Sequence, residues 1–395
     1  MKVPLDALIL EANYETRLTM EVARLLNIPT PQAMREMCPE AYKHYEHMQE
    51  IYRKIDRSKL QFDFVTFPNQ KKDNYNEIIS LGGRVFESPQ YTGKNHFTFV
   101  TWWKEFFDKH REYKILHVHV RSVGAICIDI AHYYNILCIA HSHSTSNGRG
   151  IRAKIKNIMQ FSIRYKADYM FACSKEAGEW LFGKNVNKKN NYKVIANAID
   201  AQRFDYDENT RNNVRRLLKI EDKFVVGHIG RMTEPKNHLF LIKIFSDICK
   251  IRQDARLLLI GDGELRGIIE KEIQARNLED KVLILGSRNN TEDYYQAMDV
   301  FVFPSLWEGL GISVIEAQTS GLPCLISERI PKDAVLDNQL VEIMCLSMGE
   351  KQWAKKIVNM KRYRREGNVE VTRICGYDVV KNAKYLQNFY IDLVV

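Results

Sequence analysis

Two carboxylates bracket a glycine turn in the stretch PSLWEGLGISVIEAQTSGLP, residues 304–323: Glu308 and Glu316, with Gly309 and Gly311 between them. Carboxylates accept hydrogen bonds from hydroxyl groups. Backbone N–H groups at a glycine turn that opens a helix attract anions and let a phosphate approach closely. Together these groups suit a phosphorylated, polyhydroxylated ligand. A plainer explanation also fits, because Ser313 and Glu316 match the S-x-x-E capping box. Glu316 would then only cap its own helix, and Glu308 would be an exposed loop carboxylate.

Three other stretches carry comparable chemistry. GHIGRMTEPKNH (227–238) places Gly230, Arg231 and Lys236 at a strand-to-helix junction. A guanidinium fork and an ammonium point charge can clamp a diphosphate, although a solvated basic turn would look the same. IGDGE (260–264) makes a second glycine turn. IAHSHSTSNGRG (139–150) sets His141 and His143 two residues apart, so on a strand they share a face. HVHV (117–120) pairs two more histidines, which nothing in the sequence connects to the other motifs and which read as structural.

These residues need a scaffold. Short apolar runs alternate with amphipathic ones, the pattern of parallel sheets with crossover helices. Strands are expected at 62–67, 84–88, 114–120, 136–142, 169–174 and 192–197, then at 223–230, 255–261, 281–286, 299–305 and 323–327. The second set is nearly all apolar, as in strands covered on both faces. The helix expected from Lys236 to Lys250 carries Leu239, Ile242 and Phe245 at near-helical spacing. Residues 198–222 are polar and read as an interdomain connection. The expected fold is α/β, with two doubly wound Rossmann-like domains facing across a cleft and ligands at the carboxyl ends of the strands. The expected divisions are 1–205, with 1–50 atypical, then 206–375 as the ligand-binding domain. A helix at 376–395 would pack back on the first domain.

At 395 residues and 45% apolar, the chain can bury two cores. A net charge of +9 favours anionic partners without choosing among nucleotide phosphates, nucleic acid and acidic membrane. No basic-aromatic module stands out, so nucleic acid is not an expected partner. The eight cysteines form no C-x-x-C pair, which argues against a disulfide framework or zinc site and for a reducing cytosol. No signal-peptide pattern opens the chain. No apolar run approaches the roughly 18 residues that span a bilayer.

The order of motifs, G-R-x-x-x-x-K, GDGE, then WEGLGISVIEA and SGLPCLIS, resembles the donor domain of retaining glycosyltransferases of the GT-B fold, in the large family-four group. The resemblance runs from about Asp56 to the C-terminus. SKEAGEWLFG (174–183) and ANAIDAQRF (196–204) are similar, more narrowly, to bacterial capsular and exopolysaccharide transferases. It implies a hexosyl-type transfer from a nucleotide diphosphate sugar to a lipid-linked or other glycan hydroxyl, with retained configuration and no metal or cofactor. It implies that Arg231 and Lys236, after Gly230, hold the diphosphate. Glu308 would meet the sugar hydroxyls and Glu316 the ribose. Gly309, Leu310 and Gly311 would offer backbone donors, and Arg288 in LGSRNN would border the base. His143, with His141 beside it, would contact the sugar near the reacting centre. DYD (Asp205, Asp207) is the one D-x-D; it lies in the connecting segment and is given no role.

The N-terminus departs from the resemblance. Residues 1–50 contain no glycine and read mainly as helix, so the first strand and acceptor loop look replaced, unless ALIL (7–10) supplies the strand. That departure keeps open a catalytically impaired, nucleotide-sugar-binding or partner protein. A sugar-nucleotide epimerase of the same fold is a further alternative. GRGIRAKIKNIMQFSIRYKAD (148–168) carries Arg149, Arg152, Lys154, Lys156, Arg164 and Lys166, with Ile151, Ile155, Ile158 and Met159 on one face. A basic amphipathic helix of this kind can rest on anionic lipid; an ordinary surface helix would also show the pattern. The expected location is therefore cytoplasmic, peripheral to the inner face of the plasma membrane.

Overall fold

The computed structural model describes residues 5–10, 48, 50–67, 72–143, 151–360 and 364–394. The chain divides into two compact units, residues 1–198 with 379–395, and residues 199–378. The expected divisions at 205/206 and 375/376 thus fall at 198/199 and 378/379.

The first unit holds a parallel sheet of β1 (Leu5–Leu10), β2 (Leu60–Thr66), β3 (Val85–Glu87), β4 (Ile115–Val118), β5 (Leu137–Ser142), β6 (Tyr169–Ala172) and β7 (Tyr192–Val194). Their order is β3-β2-β1-β4-β5-β6-β7. The strand thought to be replaced is therefore present: β1 lies between β2 and β4, with Ile9 opposite Phe64 on one side and His117 on the other. Its hydrophobic run was short, and the helical pattern that follows hid it. Ala7 and Ile9 enter one core while Leu8 and Leu10 enter the core on the other face, the alternation of a strand covered on both sides. The acceptor-loop question falls on residues 11–47, outside the described residues.

The helix Val379–Asp392 completes this unit. Val379, Ala383, Leu386 and Tyr390 recur at helical spacing and are fully buried in the core that also contains Ala7, Ile9 and Phe62. The Tyr390 ring meets Phe62 edge-on at 5.7 Å. The Gln387 side chain accepts a bond from the Asp56 amide at 2.6 Å, and the Asn382 side chain donates to the Ala196 carbonyl at 3.1 Å.

The second unit contains β8 (Phe224–Ile229), β9 (Ala255–Ile260), β10 (Val282–Ile284), β11 (Val300–Phe303), β12 (Cys324–Ser327) and β13 (Val341–Met344), in the order β10-β9-β8-β11-β12-β13. β13 was not expected; it is a half-exposed edge strand, so it lacks the unbroken apolar signal of its neighbours. The supposed connection at 198–222 also proves to be part of this unit. Asp207 caps the helix Glu208–Leu218 by accepting from the Asn209 and Thr210 amides. Arg211 bonds Asp299 at 2.6 Å, and buried Arg215 donates to the Ala297 carbonyl at 2.8 Å. The polar residues that resembled a linker are the anchors of a packed helix.

Replacing Tyr390 with Ala should remove about 3 kcal/mol from the first unit's stability, whereas Tyr390→Phe, which keeps the ring, should cost about 1 kcal/mol. Urea unfolding followed in the first unit checks this. Equal small losses would show that the helix is only loosely attached.

Candidate functional site

In the second sheet the strand order turns back between β8 and β11, which are hydrogen-bonded neighbours. Side chains leaving the carboxyl ends of such a pair meet at the point where ligands bind in open parallel sheets. The loop after β8 holds Gly230, Arg231 and Lys236, and the loop after β11 holds Glu308, Gly309, Leu310 and Gly311. The structure joins them. Lys236 Nζ donates to Glu308 Oε1 at 2.5 Å, with only 14% and 10% of the two side chains exposed. The Lys236 ammonium also sits 4.7 Å from the centre of the Phe303 ring. The Leu306 amide donates to the Pro235 carbonyl at 2.7 Å, and the Asn237 side chain donates to the Pro304 carbonyl at 3.1 Å.

The GDGE turn after β9 closes against the same loop. The Met232 amide donates to the Asp262 carbonyl at 2.9 Å, and Arg231 lies 3.8 Å from Glu264. Gly261 is required by close approach: a Cβ there would stand 2.1 Å from the Gly230 carbonyl oxygen. Arg288 is exposed after β10, at the sheet edge beyond β9.

The helix Ile312–Thr319 begins at Gly311, whose φ of 86° lies in the left-handed region that favours glycine. Gly311 is the N-cap, and no side chain caps the first turn. The capping-box explanation is thereby corrected, since Ser313 is already the second helical residue and Glu316 is too far along to complete the box. Glu316 instead accepts a hydrogen bond from the Tyr295 hydroxyl at 2.7 Å. Tyr295 was missed by sequence reasoning. It comes from the helix Thr291–Ala297, and no local spacing links it to Glu316.

Beneath Lys236, His228 is fully buried, and its Nδ1–H donates to the Val302 carbonyl at 2.8 Å. Burial pulls its pKa down to about 4; the carbonyl bond works against that shift and the Lys236 charge adds to it. His238 is lowered well below the ordinary value, by burial first and then by His228 and Lys236. Both rings are neutral at pH 7, so the cationic character of this edge comes from Arg231 and Lys236.

The first unit holds His141 and His143, both buried, at and just beyond the end of β5. They belong to a four-imidazole cluster that ties in His117 and His119, which the sequence left unconnected. His141 and His143 stack with ring centres 4.1 Å apart, and His117 and His119 pack at 4.2 Å. His119 Nδ1 and His143 Nε2 share a hydrogen bond of 2.6 Å, and His117 Nδ1 bonds the Tyr390 hydroxyl. Burial, then the neighbouring His141, holds His117 well below the usual histidine range. Ring nitrogens of His117, His119 and His141 lie within 4.8 Å of one another, a donor set a transition metal could use. Their faces stack rather than converge, however, and two ring edges are engaged in the bonds just named.

Two Rossmann-like units, each with strand order 3-2-1-4-5-6 at its centre and chemistry at the switch point of the second, define a GT-B glycosyltransferase fold. The comparisons agree. Residues 209–359 match the family described as "Glycosyl transferases group 1" and residues 46–203 match "Glycosyltransferase Family 4". The chain is 34% identical over 348 residues to EpsF of Bacillus subtilis (strain 168), a protein named as a glycosyltransferase, covering 86% of this chain and 91% of EpsF. The chain belongs to this glycosyltransferase family. It is 25% identical, over 73% of its length and 77% of the relative's, to the UDP-Gal:alpha-D-GlcNAc-diphosphoundecaprenol alpha-1,3-galactosyltransferase of Escherichia coli. Among solved structures, Anabaena HepE in complex with UDP superimposes with a TM-score of 0.67 at 14% identity, covering 98% of this chain and 96% of HepE.

Histidines buried in the neutral form make the second unit sensitive to acid. His228 titrates near 4 when folded and near the ordinary ~6.5 when unfolded. The unfolded chain binds the extra proton between these values, so stability is full above pH 6.5 and falls as pH drops towards 4, by about 3 kcal/mol for this residue. Denaturant midpoints from pH 7.5 to 4 should show the slope, and His228→Asn should make it shallower. An unchanged slope in the variant would place the acid sensitivity elsewhere.

Proposed function

We propose that this glycosyltransferase moves a sugar from a nucleotide diphosphate sugar to a hydroxyl of a lipid-linked glycan acceptor, with retained anomeric configuration and without a metal. The observation that carries the reading is the Lys236–Glu308 pair beside the side-chain-free start of the helix Ile312–Thr319. Lys236 and Arg231 bring positive charge to the switch point, and first-turn N–H groups add to it. A diphosphate placed there draws Lys236 away from Glu308. The released carboxylate then accepts hydrogen bonds from the donor sugar's hydroxyls. Glu316 receives the ribose hydroxyls, and Arg288 borders the base. Gly309, Leu310 and Gly311 contribute backbone donors.

The slow event is departure of the nucleoside diphosphate, whose growing negative charge Arg231, Lys236 and the helix start stabilise. The acceptor hydroxyl attacks on the face the leaving group vacates and passes its proton to the leaving phosphate. That balances the reaction without an enzymatic nucleophile. The lipid-linked acceptor is supported by the name of the E. coli relative, a transferase acting on a diphosphoundecaprenol-linked sugar. The alternative reading, a binding protein without catalysis, rested on the first strand and the acceptor loop; β1 occupies the sheet between β2 and β4, which answers the first of these. Asp207, one of the D-x-D pair, is used as a helix cap.

Contact with an anionic membrane is part of the proposal. Among the described residues no helix is long and apolar enough to cross a membrane. The helix Ile151–Phe161 and its continuation expose Ile155, Ile158, Phe161 and Tyr165, with Ile158 75% and Tyr165 74% accessible. Arg164 bonds the Leu181 carbonyl, and Lys166 pairs with Asp129 at the surface. Lys154, exposed on this helix, is proposed as a headgroup contact.

Incubation with a panel of nucleotide sugars and undecaprenol-linked acceptors should release a nucleoside diphosphate and give a product whose anomeric coupling matches the donor's. Inversion of configuration, or interconversion of the free donor, would contradict the reading. Lys236→Met should weaken nucleoside diphosphate binding by roughly tenfold to a hundredfold. Glu308→Gln should leave that binding intact and lower turnover of the complete donor. Ile158→Asp with Lys154→Glu should reduce binding to phosphatidylglycerol vesicles at low salt; unchanged binding would contradict a membrane contact through this helix.

A further inference from the structure

Glu316 has a partner that neither the family resemblance nor the spacing of the motif identifies. The Tyr295 hydroxyl lies 2.7 Å from Glu316 Oε2 and 3.1 Å from the Ser313 carbonyl oxygen, so one proton is aimed at the carboxylate and the helix's first turn together. Tyr295 is 0% exposed. Its ring is held between Phe204, at 5.9 Å and 62°, and Phe301, at 5.6 Å and 58°. Its own carbonyl accepts from Arg365 at 3.0 Å. The hydroxyl therefore cannot follow Glu316 if that side chain rotates away. Burial, and then the Glu316 charge, raise the phenol well above its ordinary value, which keeps it a donor across the working pH range.

A carboxylate binds a 1,2-diol well only when it is already turned towards it; a mobile glutamate must lose rotamer freedom on binding. An ionised carboxylate offers about four lone-pair sites, and the Tyr295 bond takes one of them, on Oε2. We infer that Tyr295 is the positioning residue that presents Glu316 to the ribose diol, and thereby sets the preference of the site for ribonucleotides over 2′-deoxyribonucleotides. The inference rests on the proposed role of Glu316 and extends it to a residue that touches no ligand.

The experiment uses the full chain and calorimetric titration with UDP, GDP and ADP, then with the 2′-deoxy form of whichever binds best. Tyr295→Phe retains the ring and its packing and removes only the hydroxyl. It should weaken binding of the ribonucleotide about fivefold to tenfold, the effect of one lost hydrogen bond. Binding of the deoxy form should stay within about twofold, so the preference between the two collapses. With a complete donor, KM should rise while kcat holds, because the tether is remote from the bond that breaks. A merely structural role would lower the melting temperature and weaken both nucleotides alike, and that result would overturn the inference. So would an unchanged preference in Tyr295→Phe alongside a lost preference in Glu316→Gln, which would leave the role of Glu316 standing. If Glu316→Gln also leaves the preference untouched, or no nucleotide binds, the role of Glu316 falls and the inference falls with it.

Discussion

A lysine and a glutamate 72 residues apart in sequence hold together the two loops that leave β8 and β11. Parallel strands with crossover helices bring those strand ends side by side, and the Lys236–Glu308 pair is what the meeting produces. Little of either side chain is exposed, so water screens their attraction less than it would at the surface. Each neutralises a charge that would otherwise be costly to desolvate. The same pairing makes the site responsive. A ligand carrying both phosphate and hydroxyl groups can replace each member's partner, whereas phosphate or sugar alone satisfies only one. In the proposed reaction, binding energy would thus be tied to recognition of a whole nucleotide sugar rather than to one end of it.

The surroundings serve that pair. Gly261 lets the turn after β9 lie against the Gly230 carbonyl, which sets the path of the loop carrying Arg231 and Lys236. Gly311 turns the chain into a helix without a side chain over its first N–H groups. Neutral His228 fills the space below while bonding the Val302 carbonyl, linking β8 to β11 without adding charge. In the first unit the sheet ends instead in stacked imidazoles. There His119 shares a hydrogen bond with His143, and the C-terminal helix reaches His117 through Tyr390. Burial holds His117 of this cluster neutral, in contrast to the cationic edge of the second unit.

Much of this was legible in the sequence because it is local. The nearly continuous apolar runs of β8, β9 and β11 marked buried parallel strands, and the glycine turns that follow marked where their loops begin. What failed to show was contact between distant residues. β1 was obscured because its run is short and the next segment reads as helix. The helix Glu208–Leu218 passed for a linker because its anchoring groups, Arg211, Arg215 and Asp207, are polar. The capping box at Ser313 and Glu316 was a correct pattern in the wrong place, since only the backbone conformation of Gly311 shows where that helix starts. Tyr295 could not be found at all without the fold, which carries it from the preceding helix to Glu316. The histidines of β4 and β5 looked like two unrelated pairs until strand pairing stacked them.

On the proposed mechanism, the Lys236–Glu308 pair parts when the nucleotide sugar binds. A crystal structure of the chain with an intact nucleotide sugar, or a non-hydrolysable phosphonate analogue of it, tests this directly. The expected complex has a phosphate oxygen within hydrogen-bonding distance of Lys236 Nζ and a sugar hydroxyl on the Glu308 carboxylate, with the ion pair parted. A nucleotide sugar seated elsewhere, with Lys236 and Glu308 still bonded to each other, would contradict it.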